Sequence, residues 1–384
     1  MRRSVDRVFA DSRDSDLADS LRANVSRFAA YKADYVKTTI ENILNDASIP
    51  AKDKQTYIDA NMNAFSQYQA TEETTATSRS RTAKQWKEFN DPQRLRLFPN
   101  LRWLPSRSIE KRPSHIQFYD HVWSKGDDFW NHNTPGTEWN CKCDVEETDD
   151  PVTNNGNMDP VQVPAGLEGN PAVTREIFTD RASYIKKGNK QRVEKFWKPI
   201  EEGFDIYRQY RDDANYKDVK MNWDNGGMKA TSTGHCMHDK PNERRYFGKT
   251  NGELEQACQE EFFKNGDRAI LLADNEVNAD KNRLPALDLE VNGHLLDIRS
   301  ITEDNENTIR NGLMAKEDQL NRVYRSTGIS ADTACLFFYD ETMYSEQKIK
   351  DGIRDFIIWK PNSRMKHVVC VVRNKGIVGE YDIK

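Results

Sequence analysis

The first strong pattern along the chain is helical. From about Leu17 to Asp46, the residues Leu21, Val25, Phe28, Tyr31, Tyr35, Thr39 and Ile43 recur at three- and four-residue steps, laying one apolar stripe along a helix with a charged back. Ser48-Ile49-Pro50 interrupts that stripe. A second helix is expected to carry Tyr57, Met62, Phe65 and Tyr68, and a third to run from about Thr71 to Phe89, ended by Asp91-Pro92 because proline pushes the residue before it out of the helical region. All three stripes are thin, so partner surfaces are needed to complete their burial.

From Leu95 to Trp139 the pattern changes to short aromatic-rich pieces punctuated by Pro and Gly, which predicts a small irregular α/β element over residues 96–150 after a helical region over 1–95. The stretch Glu146 to Asn170 is acidic and rich in Asn, Gly and Pro, and reads as a linker. It leads into a connecting segment over 151–245 whose clearest feature is an amphipathic helix near Gln191 to Tyr210.

Periodicity sharpens after Gly252. A helix with Leu254, Ala257, Cys258 and Phe262 on one face stops at Asn265-Gly266, and the strand Ala269 to Leu272 follows. Leu287–Val291 and Leu295–Ile298 flank Asn292-Gly293, the pair favoured in a two-residue type I′ hairpin. A helix over Asn307 to Arg325, an apolar run over Ala334 to Phe338, a helix over Ser345 to Trp359 and strands at His367–Val372 and Ile377–Ile383 complete the order αβββαβαββ over 246–384. The fold class is therefore α+β, with a mostly antiparallel C-terminal sheet carrying helices.

Composition narrows the function. A net charge of -5 argues against a protein that coats nucleic acid through bulk electrostatics, and leaves only a local basic cleft for such contacts. Eight Trp and sixteen Phe exclude a disordered chain, although charged residues reach 31%. No run approaches the roughly 18–20 apolar residues of a membrane span, and Met1-Arg2-Arg3-Ser4-Val5-Asp6 offers no signal-peptide core. The expectation is no membrane, and residence in a cytoplasm or in a particle assembled there. Of six scattered cysteines only Cys141 and Cys143 look paired by design, and no disulfide framework is expected.

His115, Cys141 and Cys143 offer one imidazole and two thiolates, and His121, His132, Asp127 and Asp128 are near enough to complete four ligands, with His132 preferred. Such a set suits a structural zinc that staples a segment with little core of its own. The plain alternative is that small cysteines and aromatic pieces form an ordinary core, to which Trp123, Trp130 and Trp139 belong. His235-Cys236-Met237-His238 suggests another metal site, but with no second Cys pair nearby it is taken as a loop.

Arg112-Pro113-Ser114-His115, Asp127-Asp128-Phe129-Trp130, His132, Pro135-Gly136 and Trp139-Asn140-Cys141-Lys142-Cys143, taken in order, resemble the signature of the phage Mu F-like minor head, or head-morphogenesis, proteins. Ser26 to Lys32, Thr71-Glu72 and Arg81 to Trp86 are similar to the helical part of that family, and Gly166 to Pro171 with Glu176-Ile177-Phe178 extend the resemblance to about residues 20–180. Relatives often carry Asp-x-Arg before the histidine, where this chain has Ser108 and Glu110. The resemblance implies a minor capsid protein of a tailed phage or prophage, bound to portal and capsid proteins in the virion head after assembly in the host cytoplasm.

Pro285 to Asp288, the Asn292-Gly293 turn, Leu296 to Ser300, Asn307 to Gly312 and Gln319 resemble the barnase/EndoU/colicin/RelE-like nuclease domains appended to phage head proteins, and are similar to toxin domains of contact-inhibition systems. That implies an RNA substrate and an immunity protein as partner. Two mechanisms compete for these residues. In the metal-free one, His294 or Asp297 is the base for a ribose hydroxyl, Arg299 and Arg310 clamp the phosphate, and Ser300 or Thr308 adds a donor. In the metal-dependent one, Asp288 and Asp297 hold magnesium, but the position usual for lysine is Arg299, which binds as a fork and stays protonated. The first is preferred here. A toxin for which the head region is only a packaging address, and an inactive binding module, are the other readings. For each residue alone the plain reading is an exposed turn histidine or a surface ion pair.

Overall fold

A computed structural model describes the chain except residues 12–14, 154–157, 159–160, 237–241, 278–280 and 384. It divides into two compact units, Met1–Trp197 and Lys198–Lys384. The expected connecting segment 151–245 is thus shared between the two units instead of standing apart, and part of the expected linker lies outside the described residues.

In the first unit α1 (Arg2–Phe9), α2 (Ser15–Asn45) and α3 (Lys54–Phe89) come first. Tyr35 meets Phe65 and Lys32 meets Glu72, so α2 and α3 run in opposite directions. The break expected between two helices near Thr71 is not there; α3 continues through it. What changes is the face. Tyr57, Met62 and Tyr68 are exposed, whereas Glu72, Thr75, Ala76, Arg79, Ser80 and Ala83 are buried. No Gly or Pro lies within α3 to stop it, so a shift of stripe does not end the helix.

Asp91 starts an element as well as closing one: its Oδ1 accepts from the Gln93 and Arg94 N–H groups and caps α4 (Pro92–Leu97), with Pro92 in the first turn. Then come β1 (Asn100–Leu104), α5 (Pro113–Ile116), β2 (Val122–Ser124), α6 (Phe129–His132) and β3 (Asp144–Thr148), whose strands form a small antiparallel sheet in the order β2-β1-β3. Glu146 and Glu147 therefore lie in a strand. After the linker, α7 (Pro171–Thr174) and α8 (Ser183–Lys187) return to the helices, where Leu167, Ile177 and Phe178 share a core with Leu17, Leu21, Val25, Phe28 and Ala76. α9 (Lys190–Asp212) spans the division between units.

The second unit contains β4 (Tyr216–Met221), β5 (Met228–Ser232), α10 (Asn251–Asn265), β6 (Arg268–Leu271), β7 (Leu289–Val291), β8 (His294–Ser300), α11 (Thr308–Thr327), β9 (Thr333–Phe338), α12 (Glu346–Trp359), β10 (His367–Val372) and β11 (Gly376–Asp382). Among the described residues its strands form one mixed sheet, β11-β10-β9-β8-β7-β6-β5-β4, with parallel pairs at β5/β6, β8/β9 and β9/β10 and the others antiparallel. β4 and β5 add to the strands expected from sequence. β4 lies at the edge, and its Lys217, Asp218 and Lys220 break up any apolar alternation.

Side chains alternate across the sheet. Leu336 and Phe338 join the core beneath α11 and α12, while Cys335 and Phe337 join the one with Cys258 and Phe262 of α10. Asn292 and Gly293 have φ of 51° and 89°, as a type I′ turn requires. The Thr250 hydroxyl and Glu253 carboxylate form a capping box on α10, and Gly266 at φ 102° closes that helix. The α+β class stands. Among the described residues no helix is long and apolar enough to cross a membrane.

Candidate metal and catalytic centres

α5 starts at Pro113 and aims His115 inward, where it is 1% exposed. The chain before β3 turns through Asn140 at φ 58°, bringing Cys141 and Cys143 to the same point. His115 Nδ1 lies 3.7 Å from Cys141 Sγ and 3.5 Å from Cys143 Sγ. With ordinary zinc–sulfur and zinc–nitrogen bond lengths, the N···S edge of a tetrahedron is about 3.6 Å. The spacing fits a metal triad, and all three residues are buried.

The other ring nitrogen faces a carboxylate. His115 Nε2 is 3.7 Å from Glu138 Oε1, and that carboxylate accepts from Ser114 Oγ at 2.6 Å and Arg112 Nη1 at 2.6 Å. At that distance the carboxylate is a nearby negative charge and not a hydrogen-bond partner of the ring, whose Nε2 is buried without one. Hydrogen bonding from Cys143, together with His115, pulls the Cys141 thiol well down, while Cys141 and burial push Cys143 up. Trp103, Trp123, Trp130 and Phe118 enclose the site as core, and Trp139, only partly buried, stacks on Phe178.

His132 does not join this triad. It is exposed on α6, with Nε2 3.3 Å from Asp128 Oδ2, one helical turn away. His121 Nδ1 faces Thr153, and Asp127 accepts from the Phe129 N–H. Each of these side chains has a partner away from the triad.

In the second unit the hairpin β7–β8 carries Asp288 and Asp297. Asp297 is fully buried within the run Leu295-Leu296-Asp297-Ile298, and Asp288 Oδ2 accepts from the Ile298 N–H at 2.7 Å. Between them stands Lys316 of α11, its Nζ 3.0 Å from Asp297 Oδ2 and 3.5 Å from Asp288 Oδ2. Burial and the neighbouring Asp288 push the Asp297 carboxyl well above the usual range, and Glu255 on α10 is raised by the same two causes. Burial works against the Lys316 ammonium, but Asp297 and Asp288 carry it above its ordinary value. Gln319 donates to the Ala286 carbonyl at 2.8 Å and ties α11 to the strand-leading loop.

The six residues expected to act in a metal-free mechanism do not converge. His294 and Asp297 point to opposite faces of β8, because they are separated by an odd number of positions. His294 is exposed beside the turn, paired in register with Val291. Arg299 shares the Asp297 face and lies along α11 at Gly312, with an exposed head. Arg310 stacks over Trp359 at 5.5 Å, Thr308 Oγ1 accepts from the Asn305 N–H, and Ser300 is half-buried at the end of β8.

Lys316 and Glu255 are absent from the residues singled out by sequence; His235 and Cys236 belong to the segment read as a loop, of which Met237 and His238 lie outside the described residues. Lys316 carried a legible signal, since Ile309, Leu313, Lys316 and Leu320 share one helical stripe and a lysine is out of place there. No family model, curated protein or solved structure matches the chain.

Proposed function

We propose that the chain is a head-assembly protein of a tailed phage or prophage whose second unit hydrolyses nucleic-acid phosphodiesters with a divalent metal. The observation that carries the catalytic part is the position of Lys316 between Asp288 and Asp297. The lysine that β8 lacks at Arg299 is supplied from α11, which removes the objection to the metal-dependent mechanism. A magnesium ion held by the two carboxylates would polarise the phosphate and lower the pKa of a bound water. Asp288 and Asp297 supply oxygen ligands of the kind magnesium takes. Lys316, held protonated by both, orients the attacking water and faces the charge developing on the phosphate. Arg299, exposed on the same strand face, is placed for a flanking phosphate. His294 has no part in this reading.

The experiment is incubation of the purified full-length chain with RNA and with DNA, in magnesium and in EDTA. Cleavage that needs magnesium and disappears in Asp288→Asn supports the proposal. Cleavage that survives EDTA returns the case to the metal-free mechanism. No cleavage under either condition leaves an assembly protein with a binding appendage, and toxicity of the wild-type chain compared with Asp288→Asn separates a packaged toxin from it.

The assembly part rests on the motif that resembles the Mu F-like proteins, whose two ends meet at His115, Cys141 and Cys143. The ion suited to that triad is zinc, as a folding staple. The chain should copurify with assembled heads and bind the portal through residues 20–150; absence from procapsids and virions counts against it.

A further inference from the structure

The turn after β5 holds a second cluster. His235 is buried, its Nδ1 is 3.2 Å from the Leu272 carbonyl, and its Nε2 is 3.4 Å from a Glu255 carboxylate oxygen. Cys236 follows in a left-handed conformation at φ 59°, and the ligand atoms of His235, Cys236 and Glu255 all lie within 4.8 Å of one another.

A carbonyl can only accept, so in the neutral ring Nδ1 carries the proton and Nε2 turns a lone pair toward the carboxylate. The N···O separation of 3.4 Å is longer than the usual 2.7–3.2 Å of a direct hydrogen bond. It matches the edge of a zinc tetrahedron, about 3.4 Å for ordinary zinc–nitrogen and zinc–oxygen bonds. A backbone carbonyl behind the imidazole is the orienting partner that metal-bound histidines commonly have.

We propose that His235, Cys236 and Glu255 form a second metal site, selective for a zinc-class transition ion. Imidazole and thiolate set it apart from a magnesium site, which would take oxygen donors. The site takes no ligand from Asp288 or Asp297, although Glu255 lies within their electrostatic reach, so metal binding there is read without reference to cleavage. Bound there, the ion pins the turn after β5 to the first half of α10. Leu272 links this to the catalytic hairpin: its carbonyl faces His235, and its N–H donates to the Asp288 carbonyl at 3.0 Å.

The test uses the full-length chain, stripped with EDTA and exchanged into chelator-free buffer. Alkylation of Cys236 by iodoacetamide is followed by peptide mass spectrometry, alone, with zinc and with magnesium. Zinc should slow modification of Cys236 at least about tenfold, because a coordinated sulfur is screened from the reagent, and magnesium should not. Zinc titration should find one fewer equivalent in Cys236→Ser than in wild type, with unchanged circular dichroism. Equal stoichiometry in the two proteins, or a Cys236 rate indifferent to zinc, overturns the proposal. Mapping each cysteine separately keeps this result distinct from binding at Cys141 and Cys143, and cleavage activity does not enter the readout.

Discussion

Lys316 Nζ sits 3.0 Å from Asp297 Oδ2 in the interior of the second unit, and this single contact joins α11 to β8 across more than packing. The ammonium also serves Asp288 at 3.5 Å, so one cation stands against two carboxylates, one in β8 and one just before β7. Removing it leaves the buried Asp297 and half-buried Asp288 carboxyl groups without their shared counter-ion.

Lys316→Met should therefore destabilise the second unit by about 3–5 kcal/mol in denaturant unfolding, the usual cost of stranding a buried charge. Asp297→Asn should cost less, because Lys316 keeps Asp288 as partner. Both changes should lower magnesium-dependent cleavage by on the order of 10²–10⁴, whereas His294→Ala should leave the rate unchanged. A fully active Lys316→Met would remove Lys316 from the chemistry.

Glu317, the next residue, gives an acid-sensitive anchor. Burial alone would raise its carboxyl, but bonds from Ser363 Oγ and from the Arg364 and Met365 N–H groups hold it below the usual range. A depressed carboxylate contributes stability that is complete above its ordinary pKa and fades as pH falls through the lower folded value. Glu317→Gln should be less stable at neutral pH, and its stability should decline less between about pH 5 and pH 3 than that of wild type, as read by urea unfolding. A parallel decline in both proteins would show that the acid limb belongs to other groups.

Arg79 locks the first unit. Its guanidinium is fully buried, is drawn down to about 10 by burial, and donates to the carbonyls of Leu167, Glu168, Gly169 and Glu176. Arg79→Leu would leave these acceptors without that donor and should cost at least about 3 kcal/mol. Gly136→Ala should lower the midpoint as well. Gly136 has φ 97°, and a Cβ there would come 2.7 Å from Arg79 Cγ. Thermal melts of the two single variants and the double variant should show coupling, because both act on the same guanidinium stem.

Chelation should lower the unfolding midpoint of the first unit, and zinc should restore it. Cys141→Ser and His115→Ala should each abolish that zinc response, while His132→Ala should leave it intact. Loss of the response in His132→Ala alone would mean that the exposed histidine is recruited after all.

Local sequence carried much of the architecture. Apolar spacing placed α2, the Asn292-Gly293 hairpin, α11, α12 and the last strands, because a helical stripe and a tight turn depend on neighbours within a few residues. It also grouped His115 with Cys141 and Cys143, because one imidazole and two thiolates make a soft ligand set, although it added His132, which the fold keeps apart. It missed the edge strand β4, whose polar positions carry no alternation, and its short neighbour β5, and split α3, where only the buried face moved. The buried cluster of Glu255, Asp288, Asp297 and Lys316 lay beyond it for a different reason. Asp297 and His294 are three positions apart, yet the strand pleat sends them to opposite faces; Glu255, Asp288 and Lys316 are distant in sequence, yet the sheet order β6-β7-β8 with its flanking helices brings them together. Nothing in the spacing of residues 255, 288, 297 and 316 states that they meet. Strand pairing and helix packing over long separations decided it, and only there does a lysine on α11 replace the one that β8 lacks.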